Sequence, residues 1–170
     1  VFAHGMNIEK YVQHGALPIL ITHQGRKGDD EFIANLSSVA RRIDIMTGTK
    51  VQYVDEVMCS KVSEAIKKMK HGEAIFLRNI RDCPEEESLE TEEEMVNSSL
   101  TKFFKDNVDV FINDGPSVCH RAQWSLVGLF GLIPSYFGLQ MEYELETIQN
   151  LKEDLEVGKK ITFFVGGKKF

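Results

Sequence analysis

Short apolar runs alternate with longer amphipathic segments along this chain, a pattern that few architectures accommodate. Runs rich in branched and aromatic residues predict strands at 17–22, 50–54, 74–77, 108–113 and 161–165. Helical periodicity predicts helices at 4–14, 30–46, 60–70, 91–105, 120–131 and 139–154. Because strands that alternate with helices pair in parallel through right-handed crossovers, we predict an α/β fold, a three-layer α/β/α arrangement with a mostly parallel, Rossmann-like sheet.

Local signals support several of these boundaries. Gly15 and Gly48 follow predicted helices, where glycine accepts the left-handed conformation that ends a helix. Thr91 and Glu94 have the spacing of a capping box. The acidic run "EEESLETEEE" at 85–94 fits a metal- or protein-binding tract or a solvated loop that leads into a helix. We favour the solvated loop, since carboxylates at a helix N-terminus complement its dipole.

Size and charge restrict the class of protein. A chain of 170 residues that is 42% hydrophobic is long enough for one domain with a sizeable core. Its net charge of -6 disfavours nucleic acids and membrane surfaces as partners, because either would require a basic face. The longest apolar segment, 125–139, is shorter than a spanning helix and contains Pro134. Three cysteines without metal-ligand spacing indicate reduced thiols, a cytoplasmic location and no metal site.

Cationic side chains follow three of the predicted strands. Ligands of open α/β sheets bind beyond the carboxyl ends of the strands, so residues at these positions are candidates for a site. Four of the six arginines lie there, and the remaining two, Arg41 and Arg42, are expected to face solvent from a helix. The candidates are His23 and Arg26, Arg78 and Arg81, and His120 and Arg121, the last pair at a predicted helix start. Arginine binds phosphate or carboxylate bidentately, so the pattern predicts a small anionic ligand.

Other kinds of site fit the sequence less well. Neither "GTGTK" nor "VGGKK" has the spacing of a P-loop. A cysteine phosphatase requires an arginine about six residues after its nucleophile, and Ser125 stands at that distance from Cys119. A redox role for Cys119 stays open. We favour the alternative that Cys119 is a small residue packed in a tight loop. Trp124 is predicted to be a packing residue.

Five segments resemble the amino-terminal, 3-phosphoglycerate-binding domain of the phosphoglycerate kinase family. The family's "HxGRP", "ENVRF", "NDAF…AHRA" and "GGAKV" correspond here to "HQGRK", "RNIRD", "NDGPSVCHRA" and "GGKKF", and "LIPSYFGLQMEYELE" resembles the family's "LPS..G..MEKEL". Their order and spacing hold over almost the whole chain. The wording of "HQGRKGDDEF" and "HRAQWSLVG" is closer to archaeal members than to bacterial or eukaryotic ones.

The resemblance implies a role for each matching residue. The substrate-binding patch would consist of His23, Arg26, Arg81 and Arg121, with His120 lining it. The catalytic residues would be Arg26 and Lys169, the lysine approaching the phosphoryl group in transfer. Asp114 would lie in a loop near the domain crevice.

The resemblance also implies an activity. Phosphoglycerate kinase, a transferase of glycolysis and gluconeogenesis, moves a phosphoryl group reversibly between 1,3-bisphosphoglycerate and ADP, giving 3-phosphoglycerate and ATP. We expect residues 1–160 to form the amino-terminal domain without its first strand, and 161–170 to start the nucleotide-binding domain or to form the last strand. Mg-ADP or Mg-ATP would bind the full-length enzyme, and neither is expected on this chain alone. The truncated chain is expected to lack activity by itself.

Several positions depart from the family pattern. Arg78 replaces a glutamate, Asp82 an aromatic residue, Gly115-Pro116 the pair Ala-Phe, and Lys168 an alanine. These changes leave a second hypothesis, a diverged, non-catalytic module that binds anions or another protein and keeps the fold. A missing nucleotide-binding domain or a second copy of the chain would be its partner, since an absent strand exposes a sheet edge.

Overall fold

The computed structural model describes residues 2–164 and 166, with side chains from His4 onward. In chain order its elements are α1 (Phe2–Gln13), β1 (Ile19–Leu20), α2 (Ser37–Thr47), β2 (Lys50–Val54), α3 (Ser60–Lys68), β3 (Glu73–Leu77), a 3-10 helix (Ile80–Asp82), α4 (Glu85–Ser88), α5 (Glu92–Asn97), α6 (Ser99–Lys105), β4 (Phe111–Asn113), α7 (Trp124–Val127), β5 (Ser135–Phe137) and α8 (Leu139–Glu156). No helix in this part of the chain is long and apolar enough to cross a membrane.

All strand pairs are parallel, as predicted, but they form two sheets. The first sheet has the order β1-β3-β2, with Ile19 opposite Ile75 and Val54 opposite Leu77. The second pairs β4 with β5, with Phe111 opposite Ser135. β5 was not predicted, because a three-residue strand that follows Pro134 is too short to show a period.

β3 separates the two halves of the core. Ala74 and Phe76 pack in one cluster with residues of α1 and α2. Ile75 and Leu77 point to the opposite face, where they pack with residues of α3 and α6. This alternation is the period of two of a strand buried on both faces. It produces helices on both sides of the sheet and confirms the three-layer prediction.

Some helix boundaries differ from the predictions. Residues 30–36 are not helical, and α2 begins at Ser37, whose backbone N–H and hydroxyl donate to Asn35 Oδ1. The predicted helix 91–105 is interrupted at Ser98, whose hydroxyl accepts from Thr101 N and so starts a new helix. The capping box of Thr91 and the helix stop at Gly48, with φ of 69°, are both confirmed.

The predicted helix 120–131 is wrong except for the single turn of α7. Trp124 starts that turn and is buried, and its indole N–H donates to Thr101 Oγ1 at 2.8 Å, which confirms it as a packing residue. A Cβ at Gly128 would lie 2.3 Å from the Trp124 ring, so only glycine fits there. The predicted strand 161–165 is not formed over 161–164, and Val165 lies outside the described residues.

Candidate anion-binding site

The loop that follows β1 carries His23 and Arg26, and Asn79 holds it in place. Asn79 is fully buried directly after β3. Its amide donates to Gln24 O at 2.8 Å and to Ile33 O at 2.9 Å, and its backbone N–H donates to Ala34 O at 3.1 Å. One side chain therefore joins both ends of the loop 24–34 to the end of β3. Asn79 was not among the predicted site residues, although it lies within the "RNIRD" segment.

The loop is also tightly folded on itself. Gly25 has a φ of +66°, and a Cβ there would lie 2.3 Å from Glu31 O. Because a side chain would collide with backbone, glycine is required at this position. The carbonyl of Gly25 accepts from Arg81 NH1 at 2.5 Å, so the loop also contacts the segment after β3.

Arg81 lies at the centre of the cationic residues. Its side chain is 7% exposed, and Asn79 Oδ1 accepts from its backbone N–H at 3.2 Å. Burial lowers the pKa of the Arg81 guanidinium, and the positive charges of Arg121 and Arg26 lower it further, whereas Glu87 and Glu86 raise it. Arg81 thus lies within electrostatic reach of both Arg121 and Arg26.

Arg121 reaches this cluster from a turn and not from a helix start, which corrects the prediction. Its backbone N–H donates to Val118 O at 3.0 Å, and α7 begins three residues later. The Arg121 Nε atom is buried and makes no hydrogen bond within the described residues, and the same is true of Arg81 Nε. His120 is exposed in the same turn, beside the exposed Cys119, whose Sγ lies 3.0 Å from Pro116 O.

His23 contacts a buried carboxylate that the sequence did not suggest. His23 Nε2 lies 2.7 Å from Glu86 Oε1, and Ser125 Oγ lies 2.7 Å from the same oxygen and 3.0 Å from Nε2. The backbone N–H of Ser125 donates to Glu86 Oε2 at 2.9 Å. Glu86 has no exposed surface, so these donors replace its hydration.

One ring nitrogen of His23 makes all of these contacts. Glu86 Oε1 and Ser125 Oγ both lie within hydrogen-bond distance of Nε2. Nδ1 is therefore the ring nitrogen that is not engaged by the carboxylate. A nucleophilic triad would need the acid and the serine on opposite ring nitrogens, so the three side chains do not form one. The cluster instead orients the imidazole.

The acidic run is less solvated than predicted, because α4 faces the core. Glu86 is buried, and Glu87 Oε1 lies 3.3 Å from Arg81 Nε. Glu85 accepts from the hydroxyl of Ser99 and from Leu100 N, the latter at 2.9 Å. Only a three-dimensional arrangement relates His23 to Glu86, 63 positions away, so no local pattern could have indicated this role.

Arg78 is separated from the cationic cluster by two carboxylates. Its Nε donates to Asp82 Oδ2 at 2.6 Å and its NH1 to Asp55 Oδ1 at 2.8 Å. The hydrogen bond to Asp82 raises the pKa of Arg78, and the same contact, with help from Lys27, lowers the pKa of Asp82. A cleft of about 440 Å³ beside this pair is also lined by Glu56, so its carboxylates outnumber its guanidinium and disfavour an anion.

Asp114 makes a structural contact with the start of α8. Its Oδ1 accepts from the backbone N–H groups of Gln140 and Met141 at 2.7 and 3.1 Å, which caps α8. A Cβ at Gly138 would lie 2.4 Å from Asp114 Cγ, so this glycine allows the close approach. Lys169 and Lys168 lie outside the described residues.

The fold and the cationic cluster define a class of protein. It is an α/β domain of parallel strands with cationic side chains beyond the carboxyl ends of the strands, an arrangement suited to an anionic ligand. The family model for phosphoglycerate kinase matches residues 2–170. This chain therefore belongs to the phosphoglycerate kinase family.

Individual relatives agree with this assignment. The phosphoglycerate kinase of Sulfolobus acidocaldarius is 34% identical over 98% of this chain and 40% of its own length. The phosphoglycerate kinase of Archaeoglobus fulgidus is 35% identical over 89% of this chain and 36% of its own length. The crystal structure of the Pyrococcus horikoshii enzyme superposes with a TM-score of 0.80 at 29% identity, covering 85% of this chain and 35% of that one. These archaeal proteins confirm the archaeal resemblance. The chain spans about 40% of the length of the curated relatives it matches.

Proposed function

We propose that this chain is the substrate-binding half of a phosphoglycerate kinase, with residues 1–160 as the amino-terminal domain and 161–170 leading into the nucleotide-binding domain. The observation that carries the proposal is the cationic cluster around Arg81, which contacts the loop of Arg26 at Gly25 O and, like Arg121, has a buried Nε without a hydrogen-bond partner among the described residues. Its ligands would be 3-phosphoglycerate and 1,3-bisphosphoglycerate. The setting would be glycolysis and gluconeogenesis in the cytoplasm.

The chemistry of the ligand matches the donors of the cluster. 3-Phosphoglycerate has a carboxylate at one end and a phosphate at the other, and a guanidinium binds either group through paired N–H donors. The buried Nε atoms of Arg81 and Arg121 have no hydrogen-bond partner in the described part, so a ligand oxygen would satisfy both. His23 would line the patch through Nδ1, and the exposed His120 would border it.

Two residues would act on the transferring group. Phosphoryl transfer depends on positioning and on neutralisation of charge, so cations must flank both the acceptor carboxylate and the moving phosphoryl group. Arg26 is exposed on the loop that Asn79 fixes and would supply one of these cations. Lys169, at the carboxyl-terminal end of the chain, would supply the other.

Mg-ADP and Mg-ATP would bind a separate nucleotide-binding domain. The sequence has no P-loop spacing, and the described residues contain no group of three His, Cys, Asp or Glu side chains that could hold a metal. Because that domain would hold the nucleotide and its metal, we expect the chain alone to be inactive.

The test is an isothermal titration of the chain with 3-phosphoglycerate at low salt. Saturable binding that is lost in Arg26→Ala and in Arg121→Ala supports the proposal. Arg42→Ala is the matched control, because Arg42 is an exposed arginine on α2 and its loss should leave the affinity unchanged. A folded chain that binds no 3-phosphoglycerate would contradict the proposal.

A second candidate is a diverged, non-catalytic module that binds an anion or another protein. The observation that favours it is that Glu86 already lies against His23 and Glu87 against Arg81, where their negative charges would oppose an anionic ligand. Light scattering distinguishes the two candidates when combined with the titration. Self-association of a chain that does not bind 3-phosphoglycerate would favour the module.

A further inference from the structure

Two carboxylates contact the cationic residues, and they are held in different ways. Glu86 has no exposed surface and accepts from His23 and from both the hydroxyl and the backbone of Ser125. The side chain of Glu87 is 41% exposed, and its Oε1 accepts from Gln123 Nε2 at 3.1 Å. Glu86 is therefore fixed, whereas Glu87 can turn into solvent at little cost.

The contact between Glu87 and Arg81 is an ion pair without a hydrogen bond. Glu87 Oε1 lies 3.3 Å from Arg81 Nε, yet that N–H is buried and forms no hydrogen bond within the described residues. A buried donor without an acceptor is costly, so an oxygen in better alignment would replace this one. Glu87 is therefore hydrogen-bonded to Gln123 but not to Arg81.

We infer that Glu87 is an internal counter-ion of Arg81 that an incoming phosphate or carboxylate displaces, so that Glu87 tunes the affinity of the site. The inference rests on the proposed function, since it assumes that anions bind at the cluster. In the free chain Glu87 neutralises a 7% exposed guanidinium. When an anion binds, it takes the Nε of Arg81 and Glu87 moves into water. Ligands of high charge displace it most readily, because their attraction to three guanidiniums is greater.

The experiment compares inorganic phosphate and 3-phosphoglycerate as ligands of the wild-type chain and of Glu87→Gln, followed by calorimetry and NMR. Glutamine keeps the size of the side chain and removes the competing charge. We expect Glu87→Gln to bind phosphate about 1.4- to fivefold more tightly, the range for a half-exposed ion pair. Glu92→Gln is the matched control, an exposed glutamate of the same acidic run, and should bind like wild type.

A second readout separates displacement from simple repulsion. The side-chain amide of Gln123, assigned by its loss in Gln123→Leu, should shift when phosphate binds the wild-type chain, because Glu87 leaves it. It should shift much less in Glu87→Gln. This readout uses the wild-type chain, so it tests the inference even where Glu87→Gln does not fold.

The outcomes distinguish the inference from the proposed function. Wild-type binding of 3-phosphoglycerate with no gain in Glu87→Gln would overturn the inference and leave the proposed function standing. A gain in affinity in Glu87→Gln without a shift of the wild-type Gln123 amide signal would also overturn the inference. That result would mean that the Glu87 carboxylate stays in place and only repels the anion. No binding of either anion to either chain would overturn both.

Discussion

Replacing Asn79 by alanine removes the side chain that joins both ends of the loop 24–34 to the end of β3. Three hydrogen bonds are lost, two that the amide donates to Gln24 O and Ile33 O and one that it accepts from the backbone of Arg81. Water can reach the two loop carbonyls, because Gln24 and Ile33 are exposed, so each of these bonds contributes about 0.5–1.5 kcal/mol. Arg81 is buried, and its unpaired N–H costs about 1–3 kcal/mol. The expected loss of unfolding free energy is therefore about 2–4 kcal/mol, since such contributions are not fully additive.

Urea denaturation followed by the fluorescence of the single, buried Trp124 measures this loss. Asn150→Ala is the matched control, because Asn150 is exposed on α8 and its replacement should change stability by less than about 0.5 kcal/mol. Asn79→Ala should also weaken binding of 3-phosphoglycerate, since Arg26 lies on the released loop. A stability change no larger than that of Asn150→Ala would refute the view that this amide holds the loop.

Three further perturbations test other contacts. Thr101→Val leaves the indole N–H of Trp124 buried without an acceptor, and urea denaturation should show a loss of about 1–3 kcal/mol. Arg78→Gln removes the hydrogen bond that chiefly lowers the pKa of Asp82, so an NMR titration should find that pKa raised toward its ordinary value of 3.8. Because that pKa is depressed in the folded chain, Asp82 contributes to the free energy of unfolding above pH 3.8, and this contribution is lost as the pH falls below that value. Arg78→Gln should therefore reduce the dependence of stability on acid pH. Asp114→Ala removes the cap of α8 and should cost about 0.5–2 kcal/mol in thermal unfolding.

The sequence predicted the parts of the fold that have a period. β2 was predicted with its observed bounds, and the apolar run 74–77 predicted β3, which the structure buries on both faces. The helix 120–131 failed because its apolar residues reflect the packing of Trp124 and its neighbours around α6, which a helical period imitates. Two short elements, α4 and β5, fall below the length at which periodicity is measurable.

The nearness of Arg26 and Arg81 could be predicted because each follows a strand of one parallel sheet, whose carboxyl ends lie at the same edge, whereas Arg121 follows β4 of the second sheet. The carboxylates that contact the site could not be predicted. Glu86 and Glu87 belong to a run whose local sequence is typical of a solvated helix start, and only the folded chain turns two of its carboxylates toward His23 and Arg81. The 3-10 turn at Ile80–Asp82 and the adjoining α4 produce this orientation.

Arg78 and Asp82, two of the positions at which the sequence was expected to depart from the family pattern, contact each other. They form a charge-assisted hydrogen bond of 2.6 Å. The Arg78 guanidinium is therefore neutralised by Asp82 and by Asp55. The local sequence shows the two charges but not this pairing.

The carboxylates of α4 also account for how an acidic chain keeps three arginines together without a ligand. A buried guanidinium whose charge is not compensated would destabilise the fold by several kcal/mol. Glu86 and Glu87 raise the pKa of Arg81 against the opposing effect of Arg121 and burial, so they stabilise the unliganded cluster. If an anion binds as proposed, its affinity would be the interaction of the guanidiniums with the ligand less their interaction with the carboxylate that the ligand replaces. Such a site would favour ligands whose charge exceeds that of one carboxylate.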